Sequence, residues 1–374
     1  MADVIFTGTI TKASWAADFL NPAVSLLFAQ DDVSNMYDNT LVSKLGFKKN
    51  RPLNPNEVRS QILWATELSE ITEGATIPTG PQGKAKDKWF EVQKFSKKFT
   101  ITRTMYEWCI TSKTLAGADS SVQQEYKYLA ANFKKFRNGV VKTVNVEATA
   151  LFTLGWSTAN AYWPGSATPG WLSLFNASHT YGYPGWTGTF GNIGGAGSLG
   201  TADDQITNDT AGDAALQASL DILKNEVKMW NGDFIMSPSK YTLMVSRQLS
   251  TIARKRLNTP WNQVGVYSGD TSNNNSAVLN QFSFNGNRVE LLENPFLNFV
   301  SSNRGTLGSN AYWFMINAEA VAEAEALIYH ELIAPEYDMR EDKNTKQRHV
   351  SVYTEFAMDH YGAEPYMVGF RGTA

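Results

Sequence analysis

The sequence predicts an α+β chain, and three patterns carry that expectation. Apolar residues keep a helical period from Ser120 to Leu151. Strand-like runs recur at Arg288 to Leu292, Tyr312 to Asn317, Ala326 to Leu332 and His349 to Phe356. Between Val58 and Arg103 two arms flank the Gly/Pro-rich centre GATIPTGPQG, the layout of a long hairpin.

In chain order, residues 1–57 read as an arm. Asn21 and Pro22 supply an N-cap and a first-turn proline for one modest helix, with Leu26, Leu27, Val33, Met36 and Tyr37 on its apolar side. NRPLNPN, Asn50 to Asn56, then predicts an extended connector.

The hairpin, 58–103, segregates its charges. Glu57, just before the hairpin, with Glu67, Glu70 and Glu73 gathers on the first arm against Arg59. Lys84, Lys86, Lys88, Lys94, Lys97, Lys98 and Arg103 gather on the second against Asp87 and Glu91. Either the arms neutralise each other across their own ladder, for a few tenths of a kcal/mol per pair, or the hairpin lies on a neighbouring copy, where the charges set register. Too few apolar residues to bury both faces favours projection.

Along the long helix, Val122, Tyr126, Leu129, Phe133, Phe136, Val140, Val144, Ala148 and Leu151 share one face. Ser121 and Gln124 have capping-box spacing, and Gly155 predicts the stop. The result is a helix of about 30 residues and about 45 Å, with Gly139 costing roughly 1 kcal/mol inside it. Its polar side carries Lys127, Lys134, Lys135, Arg137 and Lys142 against Glu125 and Glu147. Two readings stand: a solvated face, or non-specific attraction to a polyanion by counterion release.

Gly155 to Gly200 is rich in Gly, Trp, Tyr and Pro and predicts a loop. Its GxGxxG at Gly195, Gly197 and Gly200 lacks the preceding strand and following helix of a dinucleotide site, so a loop is the better reading. A further helix is expected from Ala211 to Trp230 on Leu216, Leu220, Leu223 and Val227, with Asp213 capping it and Gly232 past its end. Ser237 and Pro238, after the short strand DFIM, predict another helix reaching Leu257, with Arg254, Lys255 and Arg256 in its last turn. Asn258 to Asn280 reads as a polar loop, and Arg340 to Arg348 as a solvated turn.

Composition narrows the function. With 374 residues and 43% hydrophobic content the chain can fill two or three cores. A formal charge of -3 argues against an overall basic nucleic-acid binder. The single cysteine, Cys109, excludes internal disulfides and Cys-based zinc cages and reads as a buried thiol. No signal peptide and no run of 18 apolar residues is expected to direct the chain to a membrane. His179, His330, His349 and His360 show no HExxH or i, i+4 spacing, and His360, near Asp359 and Glu364, reads as structural. Glu319, Glu323 and Glu325 read as helix surface. No nucleophile elbow, Walker loop or EF-hand occurs. Catalytic, cofactor and metal residues are therefore none. The aromatic loop from Tyr162 to Phe190 could stack sugars, but aromatics among glycines more often pack a loop onto its own body.

The order of arm, hairpin, long helix and separate α+β unit, about Ala211 to Leu332, resembles the HK97-fold major capsid proteins of tailed bacteriophages. WFEVQKFSKKFTITRTMYEW at Trp89 to Trp108 resembles the E-loop's return strand entering the P-domain. SLFNASH at Ser173 to His179 is similar to the segment after the spine helix in the Mu-like branch, and FAMDHYGAEPYMVGFRG at Phe356 to Gly372 to the family's carboxyl terminus. The resemblance implies an N-terminal arm (1–57), an E-loop (58–103), a P-domain (104–205) with spine helix 120–151, an A-domain (206–335), and a return through the P-domain to an A-domain segment (336–374). It implies no enzyme and no cofactor, but hexamers and pentamers closing into an icosahedral head around double-stranded DNA, made in the bacterial host cytoplasm. Intersubunit contact would run through Glu67, Glu70, Glu73, Lys84, Lys86, Lys88, Lys94, Lys97 and Lys98, with Lys127, Lys134, Lys135, Arg137 and Lys142 facing DNA. A portal and a decoration protein are further expected partners. Because the chain starts at the arm, a separate scaffolding protein or none is implied. The lysine, asparagine and glutamate of the type member's crosslink have no identifiable counterparts. An encapsulin-like container and, from another class, a carbohydrate-binding or hydrolytic protein are the alternatives.

Overall fold

A computed structural model describes residues 40–54, 56–62, 84–102, 138–157, 172–180, 189–194, 210–226, 240–258, 261–262, 278–279, 288–342, 345, 347–362 and 364–371. The chain runs through α1 (Leu41–Lys44), β1 (Lys48–Asn50), β2 (Asn56–Ile62), β3 (Lys84–Glu91), β4 (Gln93–Ile101) and α2 (138–153). The two-residue strands β5 (His179–Thr180) and β6 (Thr189–Phe190) follow, then α3 (Thr210–Asp221), β7 (Lys240–Ser246) and α4 (Arg247–Asn258). After the short pair β8 (Trp261–Asn262) and β9 (Val278–Leu279) come β10 (Arg288–Asn294), β11 (Phe299–Ser301), β12 (Gly305–Leu307), β13 (Tyr312–Ile316) and α5 (Ala318–Glu323). Last are β14 (Leu327–Glu341), β15 (Arg348–His360) and β16 (Met367–Arg371). The fold is α+β, as predicted.

The chain divides into two compact units. The first is Met1–Thr40, Gln93–Val144 and Glu331–Phe356. Here β15 lies antiparallel to β4, from Arg348 opposite Ile101 to Phe356 opposite Gln93. Strand alternation then sorts the side chains. Val350, Val352, Thr354 and Phe356 are buried on one face, where Phe95 stacks on Phe356 at 4.5 Å and Val140 and Val141 of α2 pack on Val352. The other face is polar: Thr100 Oγ1 meets His349 Nδ1 at 3.0 Å, and Lys94 meets Glu355 at 3.4 Å.

The second unit is Leu41–Val92, Asn145–His330 and Ala357–Ala374. Its sheet has the order β10-β7-β13-β16, with β10 parallel to β7 and β13 antiparallel to both β7 and β16. Tyr241, Leu243, Val245, Trp313, Met315, Val368 and Phe370 point to one face, where α3 (Leu216, Leu220) and α4 (Leu249, Ala253, Leu257) cover them. Phe314, on the opposite face, packs against Phe152 of α2 and Phe175 with ring centroids 5.6 and 5.3 Å apart. With both faces covered, β7 reads as a continuous buried run instead of an alternating one.

Four expectations change. Lys240–Ser246 is a strand, not the front of a helix: pairing with β10 on one side and β13 on the other outweighs the start signal at Ser237 and Pro238, which lie outside the described residues. The helix begins at Arg247 instead, where Ser246 Oγ accepts from Leu249 N at 3.3 Å; it ends at Asn258, so Lys255 and Arg256 fall in its last turn and Arg254 just before it. Asp213 sits inside the first turn of α3, which starts at Thr210, and α3 runs on into a wide turn over Ile222–Glu226. The hairpin ends at Glu91, not Arg103. Phe90, buried, stacks on His330 at 3.6 Å and Val92 is buried beside it, so the chain is fixed at the root and β4 joins another sheet.

The fourth change concerns the long helix. It is present over 138–153, while 120–137 lie outside the described residues. Apolar positions Val140, Val144, Ala148 and Leu151 are buried as expected, but so are Glu147, Thr149 and Thr153. The second half of α2 is a core helix, surrounded within its unit and not amphipathic.

Candidate assembly surface

Of the predicted contact residues, Glu67, Glu70 and Glu73 lie outside the described residues. Lys84, Lys86 and Lys88 fall on β3, and β2 and β3 pair only with each other among the described strands. Their register sets Arg59 opposite Lys88, Ser60 opposite Asp87 and Ile62 opposite Lys84, with an irregularity between Ser60 and Ile62. No directly opposed positions among these carry opposite charges. Lys94, Lys97 and Lys98 belong to β4, the terminal strand of the order β1-β14-β15-β4, and all three are exposed. Lys94, 70% exposed, is drawn to the buried Glu355, which also accepts a hydrogen bond from the Tyr353 hydroxyl.

Of the helix cations, Lys142 is exposed, and Lys127, Lys134, Lys135 and Arg137 lie outside the described residues. Glu147 does not share that polar side. Its side chain is 2% exposed, and its Oε2 accepts from Arg304 Nε at 3.0 Å, with the Arg304 side chain 9% exposed. Oε1 of Glu147 has no hydrogen-bond partner among the described residues. Burial pushes the Glu147 carboxyl above its ordinary range, while the charge and hydrogen bond of Arg304 pull it back down. Arg304 is presented by the β11–β12 turn, in which Ser301 Oγ accepts from the backbone N–H groups of Asn303 and Arg304 at 3.2 and 3.3 Å. Nothing in the sequence marks this pair: its members stand 157 positions apart, and Glu147 has the spacing of a surface residue.

Two of the three local motifs of the resemblance, SLFNASH and the carboxyl-terminal one, meet in one packed site. Asn192, buried, donates from Nδ2 to the carbonyls of Leu174 at 2.7 Å and Glu364 at 3.2 Å. Its Oδ1 accepts from Asn176 N at 2.8 Å and faces His179 Nε2 at 3.1 Å, so that nitrogen carries the proton. Gly194 N donates to Gly369 O and Gly369 N to Asn192 O, both at 3.0 Å, and Phe175 sits against Gly369. Asn192, which the sequence reading passed over as loop, thus ties SLFNASH to the carboxyl-terminal motif.

The histidines are structural in their settings: His179 on Asn192, His330 Nδ1 on Asn50 Nδ2 at 3.1 Å, His349 on Thr100, and His360 3.6 Å from Glu364 in the interior. Glu319 and Glu323 are exposed on α5. Among the described residues, no group of His, Cys, Asp and Glu is suited to hold a metal ion, and no helix is long and apolar enough to cross a membrane. Cys109 and the GxGxxG glycines lie outside the described residues. Of the aromatic loop, Phe190 is buried and stacks on His179 of the same loop at 5.1 Å.

No family model matches the chain, and no curated protein does. Solved structures similar to it include phage capsids and a virus-like particle. The capsid of the cyanophage P-SCSP1u has a TM-score of 0.47 at 10% identity, over 89% of this chain and 88% of that one. The mature capsid asymmetric unit of bacteriophage PhiM1 has a TM-score of 0.45 at 10% identity, over 90% and 86%. The virus-like particle from Pyrococcus furiosus has a TM-score of 0.44 at 9% identity, over 93% and 98%.

Proposed function

We propose that this chain is a structural subunit that associates with copies of itself into a closed icosahedral phage head around double-stranded DNA, with an HK97-like fold and no enzymatic role. The observation that carries the reading is that β2 and β3 pair only with each other among the described strands, whereas β4, which starts just after the buried Val92, pairs with β15. A two-stranded ribbon of this kind is marginal on its own and gains a purpose if it is completed by a neighbour. The hairpin is then the arm that joins copies into hexamers and pentamers, and the lysines of the long helix offer packaged DNA a non-specific cationic face. Scaffolding, portal and decoration proteins are the further partners of the same proposal.

Removing residues 63–83, between the ends of β2 and β3, tests it without cutting β4. The expected product is a folded subunit that forms no stable shells in negative-stain images, whereas the parent forms shells, tubes or rings. Normal particles from the deletion would exclude the hairpin as the joining arm. Nuclease-protected DNA inside parent particles separates a genome-enclosing head from a protein container.

A further inference from the structure

We propose that two adjacent, oppositely charged patches on the second unit form a two-fold contact between copies. The basic run from Lys44 to Arg51 of one copy meets Glu319 and Glu323 of α5 in another, and the reverse contact forms at the same time. The proposal rests on the self-association read above and names a surface for it apart from the hairpin.

The patches are neighbours on rigid elements. α1 is fixed by the burial of Leu41, Val42 and Leu45 and by the Leu41 N–H, which donates to Asn145 Oδ1 at 2.8 Å. Gly46 then lies so close to α5 that a Cβ there would stand 2.8 Å from the Ala318 carbonyl oxygen, and β1 runs on beside β14. Lys48 meets Glu325 at 3.1 Å, which joins the two patches at their border.

Beyond that border both patches keep charge facing solvent. Lys44, Lys49 and Arg51 are exposed on one, Glu319 and Glu323 on the other. Lys44, Arg51 and Glu323 meet no opposite charge among the described residues. Local helix physics does not favour the acidic side. Glu319 and Glu323 stand at i, i+4 on one face of α5, where like charges repel, and Glu323 is the last residue of the helix, at the negative end of its dipole. Ala322, exposed beside them, leaves room for long cationic side chains to reach both carboxylates.

The order of the patches selects the partner. A polyanion drawn by the basic run is repelled by the carboxylates alongside it. A surface with the reverse order, acid beside base, satisfies both patches at once. This chain's own surface, rotated by half a turn, presents that order, which is the geometry of an isologous contact. No second kind of site is needed, and the alternation of sign fixes the register in which the copies meet.

Charge reversal tests the contact. K44E/R51E and E319K/E323K are each expected to lower the assembled fraction in light scattering at least roughly tenfold, through like-charge contact, with circular dichroism unchanged. An equimolar mixture of the two is expected to co-assemble, because one then carries both patches acidic and the other both basic. One chain with all four substitutions is expected to assemble like the parent. Parent-like assembly by either variant alone overturns the proposal. A weakened K44E/R51E beside a parent-like E319K/E323K does so by assigning the basic run to a polyanion. Recovery in the four-substitution chain without recovery in the mixture places the pairing within one copy and overturns it as well. Should either variant misfold, K44Q/R51Q or E319Q/E323Q takes its place: a reduced assembled fraction supports the contact, and one equal to the parent's overturns it. Parent-like charge variants beside a 63–83 deletion that forms no shells sink this contact alone. Particles from that deletion sink only the joining-arm reading, and a parent that stays monomeric sinks the shell reading and this contact together.

Discussion

Replacing Arg304 with Gln isolates the cost of the buried carboxylate it faces. At the 3.0 Å separation of the pair, an effective dielectric near 20 gives an attraction of about 5 kcal/mol. Desolvation of two buried ions costs several kcal/mol apiece, so the intact pair is close to balanced. Removing one member is not balanced, and about 3 to 5 kcal/mol is expected to be lost. The pH dependence follows from the direction of the shift. Burial, outweighing Arg304, holds the native carboxyl of Glu147 above its ordinary value. Its contribution to stability is then full below the unfolded-state pKa and falls as pH rises through the native one. Without Arg304 the native value climbs further, so R304Q is expected to lose more stability at pH 8 than at pH 5, because falling pH favours the neutral carboxyl. E147Q/R304Q is expected to recover most of the loss at pH 8. Urea unfolding at both pH values reads all of this. Equal losses at pH 5 and pH 8, or a double variant no better than R304Q, would refute the reasoning.

Other perturbations have equally defined outcomes. Gly139→Ala should raise the melting temperature, by up to about 1 kcal/mol of stability, because a Cβ there has open space around it on α2. Gly194→Ala should lower it sharply, since the new methyl would collide with the Phe370 ring and overpacking costs about 1 to 3 kcal/mol or more. Asn192→Ala strips partners from His179, Asn176 and two carbonyls; at about 1 to 3 kcal/mol for each buried polar group left unmade, proteolysis should open the 172–194 segment first. K134Q/K135Q/K142Q should leave the melting temperature unchanged and reduce nuclease-protected DNA in particles. Unchanged DNA would leave that helix side merely solvated.

The strands β10 and β13 were legible from local pattern: YWFMI is almost wholly aromatic or β-branched, and RVELLEN is a short run that sets Val289, Leu291 and Leu292 among polar residues. β7 was not, for a physical reason. Cover on both faces removes the polar alternation by which a strand is recognised, and KYTLMVS then reads as readily as a buried helix. The same cover misled the reading of Glu147, placed by the helical wheel among solvated residues although Arg304 waits in the fold. The lysine-rich segment was visible in sequence, but its division into a hairpin arm and a sheet edge depends on Phe90 meeting His330, which no local rule encodes.

The pairing of β1 with β14 has a consequence for synthesis. Lys48 lies beside Ile328, and Asn50 beside His330, so the earliest described strand has no partner until the chain has grown past position 330. β4 waits longer still, for Arg348 to Phe356. Contacts of such sequence separation close slowly, and a nascent chain carries β4 with both edges bare. Premature strand addition between neighbouring nascent chains is the hazard this order creates. Lysines at Lys94, Lys97 and Lys98 hold such strands apart by mutual repulsion until β15 arrives.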